Sequence, residues 1–167
     1  MVAAAQKRLA KEGPSASLRD IAADADVNLG LLHRHFGSKD DLIREAFAAA
    51  AQSGLETIGP AQTFDDAIDR LITVFRTSDA TYPRMLAWML LSGLAPRALQ
   101  DDFPTLQRLV ELGGPERRHE LMLILVAMYG WQVFSDQVLV ALGYDAADKP
   151  AVLADLAQSL RDVVNRL

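Results

Sequence analysis

The sequence predicts an all-α protein in two parts, and two observations carry this prediction. Ala and Leu, which favour helices, make up 51 of the 167 residues, whereas the β-branched Val, Ile and Thr make up only 23. Residues that typically begin or end helices, such as Ser, Asn, Gly and Pro, also recur along the chain, separated by stretches of typical helix length. We therefore expect about nine helices, divided between a head of residues 1–47 and a body of residues 48–167.

The first two helices of the head are bounded by residues that start or stop helices. The first is predicted from Val2 to Glu12, because a Gly-Pro dipeptide follows it and does not continue a helix. A short second helix is predicted from Leu18 to Asp24. Ser17 stands three residues before Asp20, which is the spacing of a capping box with Asp in place of the usual Glu or Gln.

A tight turn is predicted at Asp26 and Val27, because Asp tolerates the left-handed conformation that such turns use. Asn28 is a favourable N-cap for a third helix that ends near Phe36. Gly37 is the expected C-terminal stop of that helix. The sequence thus predicts two short helices joined by a tight turn.

A fourth helix is predicted over residues 39–52, where Ser38 and Asp41 repeat the capping pattern. Five more helices are expected in the body, and prolines stand at or near most of their starts. They cover residues 64–78, 83–94, 104–112, 115–142 and 150–167. In the last of them apolar residues recur every three or four positions, which gives the helix one apolar face.

The charge of the chain is unevenly distributed. Its formal net charge is −5, with a sequence pI near 5.1, which at first argues against nucleic acid as a partner. Residues 1–47, however, contain seven basic and seven acidic residues, so the whole acidic excess lies in residues 48–167. An acidic total of this kind does not exclude DNA binding by the head.

Composition and spacing exclude several kinds of chemistry. The chain has no Cys, which rules out disulfides, thiolate catalysis and Cys-based zinc sites. His33 and His35 point about 200° apart on a helix, so they cannot hold one metal ion from one face. No nucleophile–base–acid set and no phosphate-binding loop is recognisable. We therefore expect no metal, no cofactor and no enzymatic activity.

The predicted head has the pattern of a helix-turn-helix, in which two short helices lie on a third. This motif needs small residues where the two helices cross, and Ala22 and Ala25 meet that need. It also needs apolar residues that fix the crossing, and five occur at suitable positions: Leu18, Ile21, Val27, Leu32 and Phe36.

The run from Ser17 to Ile43, SLRDIAADADVNLGLLHRHFGSKDDLI, resembles the TetR family of bacterial transcriptional regulators. The resemblance covers about the first 47 residues, whereas the body agrees only in helical layout and length. It implies a DNA-binding head and a body that binds a small molecule and dimerises.

The resemblance also implies roles for individual residues of the head. Four residues at the start of the third helix are expected to read base edges: Asn28, Leu29, Gly30 and Leu31. Phosphate contacts are expected from Ser17, Arg19, His33, Arg34, His35 and Lys39. Four positions depart from the family pattern: Pro14, Asp26, Leu29 and His33. Two of them bear directly on DNA contact. Asp26 replaces the usual turn glycine and places a carboxylate near DNA, and Leu29 favours contact with a thymine methyl group.

Aromatic and Met side chains in the body are consistent either with ordinary core packing or with the wall of a cavity for an apolar or aromatic ligand. His119 is either a surface residue or a polar anchor in that cavity. Asp136 either needs a partner or lies on an exposed face. The residues predicted to line the pocket are Phe75, Met85, Trp88, Met89, His119, Met122, Met128, Tyr129, Trp131 and Gln132.

The last two helices contain more apolar surface than one core can use, and soluble monomers avoid large exposed apolar patches. Together with the resemblance, this predicts a homodimer interface on these helices. Its expected residues are Leu123, Ile124, Ala127, Phe134, Val138, Leu156, Leu160 and Val163.

The resulting hypothesis is a ligand-responsive transcriptional regulator, most simply a repressor, that binds a palindromic double-stranded DNA operator as a homodimer. A small apolar or aromatic effector would release it, with the fourth helix as the lever. The N-terminus lacks the pattern of a secretory signal, and the longest apolar run is shorter than a membrane span, which predicts a cytoplasmic protein with no membrane partner. The alternatives are a helical protein-interaction scaffold and a small helical enzyme.

Overall fold

A computed structural model describes residues 1–77, 79–94 and 99–165. These residues form nine α-helices, and none of them lies in a β-strand. The helices are α1 Val2–Glu12, α2 Leu18–Asp24, α3 Leu29–Phe36, α4 Lys39–Ile58, α5 Phe64–Thr77, α6 Thr81–Leu91, α7 Pro104–Gly113, α8 Arg118–Ala141 and α9 Lys149–Asn165. The predicted all-α fold is confirmed.

The first three helices have the predicted bounds, whereas α4 is longer than expected. It continues past residue 52 to Ile58 and ends before Gly59. Gly54 lies inside it and leaves room for Thr105: a Cβ atom at position 54 would lie 2.7 Å from the Thr105 hydroxyl oxygen. A glycine that lets a neighbour approach closely is tolerated inside a helix despite its low propensity.

The body helices agree with the predictions apart from their ends. α6 begins at Thr81, so Pro83 lies inside its first turn, where a missing amide hydrogen costs little. It ends at Leu91 rather than residue 94, because Gly93 adopts a positive φ of 84°. A short 3₁₀ turn, Pro115–Arg117, precedes α8. Residue 78 and residues 166–167, the predicted ends of two helices, lie outside the described residues.

The described helices pack into two compact units. The first unit contains Met1–Ser53 and Ala80–Phe103, and the second contains Gly54–Asp79 and Pro104–Leu167. The first unit is therefore larger than the predicted head, because α6 contributes to it. The functional boundary between residues 47 and 48 stays a prediction.

The core of the first unit joins α1 to α4 with α6. Leu9, Ile21, Leu32 and Phe47 are fully buried in it together with two methionines of α6. Burying each such side chain contributes roughly 1.5–3 kcal/mol. The five residues predicted to fix the helix crossing all belong to this core or pack against it: Leu18, Ile21, Val27, Leu32 and Phe36. Of the two small residues predicted at the crossing, Ala22 is buried in this core and Ala25 is half-buried.

The second unit has a separate core formed by α5, α7, α8 and α9 with the end of α4. Its largest fully buried side chains are Ile58, Ile68, Ile72, Leu109 and Ile124. The Arg117 guanidinium lies 4.2 Å from the centroid of the Phe64 ring and bonds Asp65 at 2.7 Å and Glu120 at 2.9 Å. Burial opposes the charge on Arg117, but these two carboxylates outweigh it and raise its pKa. Arg117 thus ties the start of α8 to the start of α5.

In the described part of the chain, residues 115–141 are long and apolar enough to cross a membrane. Core helices of soluble proteins pass the same test. One side of α8 enters the core of the second unit through Leu121, Ile124 and Met128, and Leu139 is also buried. Only 22% of its most apolar stretch is buried, so its other side remains exposed.

Candidate nucleic-acid interface

Each of the two short helices in the first unit begins at a side-chain cap. The Ser17 hydroxyl oxygen accepts a hydrogen bond from the Asp20 amide at 3.1 Å and donates to the Asp20 carboxylate at 2.6 Å. Asn28 Oδ1 accepts from the Leu31 amide at 2.8 Å. These bonds satisfy amide hydrogens that have no partner within the helix. The caps predicted at Ser17 and Asn28 are confirmed.

The turn between α2 and α3 is held by backbone hydrogen bonds and one left-handed residue. The amides of Asp26 and Val27 donate to the carbonyls of Ala23 and Ala22 at 3.1 and 3.0 Å. Asp26 has a φ of 53° and is exposed. The predicted left-handed conformation of Asp26 is confirmed, and its carboxylate lies two residues before the N-cap of α3.

The N-terminal part of α3 has an exposed side suited to contact with another molecule. Asn28, Gly30 and Leu31 are exposed and Leu29 is half-buried, whereas Leu32 is fully buried against the core. A Cβ atom at Gly30 would lie 3.3 Å from Asn28 Oδ1, so a larger residue there would disturb the cap. The cap uses the Asn28 oxygen and leaves its amide nitrogen on the exposed side.

The predicted phosphate-contacting residues are not all equally available. Arg19 and Arg34 are exposed and make no ion pair with any described residue. His33 Nδ1 lies 3.2 Å from the carbonyl oxygen of Gly37. A carbonyl can only accept, so Nδ1 carries the hydrogen and Nε2 is left for another partner. The ring of His35 stands edge-on to Phe36, with centroids 4.5 Å apart.

Lys39 is half-buried and already has a partner within the chain. Its ammonium group donates to the carbonyl oxygen of Pro14 at 2.5 Å. Pro14 lies in the short 3₁₀ turn, Gly13–Ser15, that joins α1 to α2. The bond therefore ties the start of α4 to that turn. Sequence reasoning missed this bond, since no local pattern relates positions 14 and 39.

The N-terminus of α4 has the predicted capping box at Ser38 and Asp41. The Asp41 amide donates to the Ser38 hydroxyl oxygen at 3.1 Å, and the Ser38 amide donates to the Asp41 carboxylate at 3.3 Å. The Ser38 hydroxyl, and secondly Arg44, hold the pKa of Asp41 below its usual value. This carboxylate offsets part of the positive charge that the helix terminus offers to a phosphate.

The ten residues predicted to line a pocket are divided between the two units. Met85 and Met89 are fully buried in the core of the first unit, and Trp88 of the same helix is partly exposed. Phe75 and Met128 lie in the core of the second unit and Trp131 packs against it. Met122 and His119 are exposed, and Tyr129 is half-buried.

Two polar residues of α8 have structural partners. Gln132, predicted as a pocket residue, donates from Nε2 to the carbonyl oxygen of Phe75 at 2.8 Å and so holds the end of α5. Asp136 lies on an exposed face and pairs with Lys149 at 2.5 Å. A shallow groove of about 380 Å³ on α7 is lined by Leu106, Gln107, Val110 and Glu111, none of which was predicted.

The residues predicted at a dimer interface fall into three groups. Leu123, Phe134 and Val138 are exposed on one side of α8. Ile124 and Leu160 are buried in the core of the second unit. Ala127, Leu156 and Val163 are half-buried. Val126, which is not among the predicted residues, is 65% exposed on the same helix.

The capped helices, the left-handed turn and the exposed side of α3 define a helix-turn-helix, the arrangement in which a second short helix enters the major groove of DNA. An all-helical chain with such a motif at its N-terminus is of the class of DNA-binding transcriptional regulators.

Comparison with known proteins agrees with this class. Residues 1–46 match the family described as bacterial regulatory proteins, tetR family. The HTH-type transcriptional regulator Mb3439c of Mycobacterium bovis is 31% identical over 174 residues, covering 98% of this chain and 85% of the relative. The HTH-type transcriptional repressor Rv3405c of Mycobacterium tuberculosis matches with the same identity and the same coverage. The chain belongs to the tetR family and is a transcriptional regulator rather than an enzyme.

Proposed function

We propose that this regulator is a repressor that binds a palindromic operator as a homodimer and dissociates when a small apolar or aromatic effector binds. The observation that carries the DNA-binding part is the capped start of α3, where Asn28, Gly30 and Leu31 are exposed together. One relative is named a transcriptional repressor, which supports the direction of regulation.

On DNA, α3 would lie in the major groove with Asn28, Leu29, Gly30 and Leu31 at base edges. The Asn28 amide nitrogen can donate to a base acceptor, and Leu29 and Leu31 suit a thymine methyl group. Backbone phosphates would be contacted by Ser17, Arg19, His33, Arg34, His35 and Lys39. The acidic residues of the head, among them Asp26 and Asp41, would weaken binding, and the phosphate contacts would make it sensitive to salt.

The homodimer is supported by the exposed apolar side of α8. Leu123, Val126, Phe134 and Val138 are exposed along it, and a Cβ atom at Gly130 would meet nothing within 4 Å. A surface of this kind in a soluble protein calls for a partner, and a small residue in its middle permits close approach. A second copy of the chain satisfies both needs, and its two-fold symmetry accounts for a palindromic operator.

The effector would bind in the body, where Phe75, Met128, Tyr129 and Trp131 supply apolar and aromatic surface. An effector weakens DNA binding only if it prefers a conformation in which the two heads are wrongly spaced. α4 is the natural connection, because its residues 39–53 belong to the first unit and its residues 54–58 to the second. A protein with this function is placed in the cytoplasm, with no membrane partner.

The proposal is tested by selecting bound sequences from random double-stranded DNA, then repeating the selection with a panel of small molecules. We expect enrichment of a palindrome whose half-sites are about one helical turn apart or somewhat more. Apolar or aromatic compounds should release it. If binding were equal with and without every compound, the proposed effector would be contradicted. If the selection enriched no sequence, the proposed operator would be contradicted.

A further inference from the structure

We infer that Trp88 on α6 is a positioning residue for the Lys39 ammonium group and acts through the turn at Gly13 and Pro14. The inference rests on the proposed contact between Lys39 and a DNA phosphate. All four residues lie in the first unit, so the whole chain of contacts is contained in one compact body.

The indole of Trp88 lies directly against the backbone of Gly13. A Cβ atom at position 13 would stand 3.0 Å from Trp88 Cβ and 2.9 Å from Trp88 Cγ, and the second distance is shorter than real Cβ atoms show. Gly13 also has a φ of 59°, which other residues adopt only with strain. Gly13 is buried, whereas Trp88 is 47% exposed, so the ring covers the turn while part of it meets solvent.

The turn covered by Trp88 presents the carbonyl group that holds Lys39. Pro14 follows Gly13 directly, and its carbonyl oxygen accepts from Lys39 Nζ at 2.5 Å. The ring of Pro14 fixes its φ, and the Ala16 amide donates back to the Gly13 carbonyl at 3.2 Å. The direction of the Pro14 carbonyl therefore depends on where the turn as a whole is held.

An ammonium group has three hydrogen-bond donors, so one can bond Pro14 while the others reach a phosphate. Lysine loses more side-chain entropy on being fixed than most residues. A lysine that is held in place before DNA arrives loses less on binding. Removing the indole from Gly13 would free the turn and with it the Lys39 side chain. Lys39 would then lose more side-chain entropy on binding DNA, which would lower the affinity.

The first test is a double-mutant cycle in DNA affinity, with a mixed-sequence duplex of about 30 base pairs as the probe. Lys39→Met should flatten the dependence of log K on log salt by about 0.9, the loss of one phosphate contact. Trp88→Ala should weaken binding about three- to tenfold in the wild-type background and leave it unchanged in the Lys39→Met background. Leu91→Ala is the matched control, since Leu91 lies on the same helix and is 81% exposed.

The second test needs no DNA. The rate at which an acetylating reagent modifies Lys39 is followed by mass spectrometry in wild type, Trp88→Ala and Leu91→Ala. Only Trp88→Ala should raise that rate, and Trp88→Phe should restore it by keeping a ring over Gly13. If Trp88→Ala does not fold, Trp88→Leu keeps apolar bulk without the ring and takes its place.

The outcomes separate this inference from the proposed phosphate contact. Equal losses of affinity from Trp88→Ala in both backgrounds, or an unchanged Lys39 modification rate, would overturn the positioning role and leave the contact standing. A faster modification rate with an unchanged salt dependence in Lys39→Met would confirm that Trp88 holds Lys39 and overturn the phosphate contact instead.

Discussion

Arg8 on α1 makes a two-point ion pair with Asp24, the last residue of α2. Its Nε donates to Oδ2 at 2.8 Å and its Nη2 to Oδ1 at 2.7 Å, while Nη1 donates to Glu12 at 2.7 Å. A carboxylate at the C-terminus of a helix opposes the helix dipole, and Arg8 offsets that disadvantage. The pair fixes the supporting helix α1 to the helix-turn-helix. Arg8, one of the basic residues counted in the charge of the head, therefore has a structural role.

The ion pair predicts a dependence of stability on acid. The hydrogen bonds from Arg8 lower the pKa of Asp24 in the folded protein below its unfolded value, near 3.9. Stability from this pair is complete above the unfolded pKa and is lost as pH falls through the folded pKa. Arg8→Gln should lower the melting temperature slightly at pH 7. Because the variant has no ion pair to lose, its melting temperature should fall less than that of wild type below about pH 4.

The matched variant is Arg8→Lys, which keeps the charge but loses the two-point geometry. Its melting temperature should lie between those of wild type and Arg8→Gln. Thermal unfolding followed by circular dichroism between pH 2 and pH 7 measures both effects. Parallel curves for wild type and Arg8→Gln across that range would mean that the pair contributes nothing to acid sensitivity.

Asp26 lies in the turn before α3, where its backbone conformation should affect stability and its charge should affect DNA binding. Its φ of 53° costs a non-glycine residue about 1 kcal/mol, and its carboxylate lies near the proposed DNA surface. Asp26→Gly should raise the free energy of unfolding by up to about 1 kcal/mol and strengthen DNA binding. Asp26→Asn should strengthen DNA binding with little change in stability, because Asn keeps tolerance of the left-handed region and removes the charge.

Urea unfolding and DNA titration at low and moderate salt check this pair of variants. A gain in affinity for Asp26→Gly alone would assign the effect to backbone strain rather than to charge. If neither variant bound DNA more tightly, the Asp26 carboxylate would be too far from DNA to affect binding.

Local features of the head were predictable because they depend on residues close in sequence. The caps at Ser17, Asn28 and Ser38 and the left-handed turn at Asp26 each involve at most four consecutive positions, and all were confirmed. Helix type and approximate bounds follow from the same short-range chemistry.

Contacts between distant positions were not predictable in the same way. The sequence shows that Met85 and Met89 suit a core or a cavity wall but not which core they would enter, and the structure places them in the core of the first unit. Nothing in the sequence pairs Arg8 with Asp24 or Lys39 with Pro14. The packing partners of the predicted pocket residues were unknown for the same reason, and the pocket stays a prediction.

Asn28 has two roles that one substitution can separate. Its oxygen caps α3, and its amide nitrogen is proposed to read a base edge. Asn28→Ser should keep the cap, because Ser is as good an N-cap as Asn, while losing the amide group. Sequence preference should therefore relax by about tenfold between the best and the altered operator, with an unchanged free energy of unfolding.

Asn28→Ala serves as the comparison, since it removes the cap and the amide together and should destabilise the protein by about 1 kcal/mol. Both variants are measured by binding to the selected operator and to single-base changes of it. Full sequence preference in Asn28→Ser would show that the amide does not read a base.

The exposed apolar side of α8 predicts that a charge there separates the proposed homodimer. Phe134 is 57% exposed, and Phe134→Asp would place a carboxylate in the middle of the interface at the cost of several kcal/mol of association. Sedimentation equilibrium should report twice the chain mass of 18.2 kDa for wild type and a single chain for the variant. Operator binding should weaken steeply, because one head alone contacts one half-site.

Val74→Asp is the matched control, since Val74 is 43% exposed on α5 and lies away from α8 in sequence. It should leave both mass and operator affinity unchanged. A monomeric wild-type protein at micromolar concentration, or a dimer that persists in Phe134→Asp, would mean that the exposed side of α8 has a different partner.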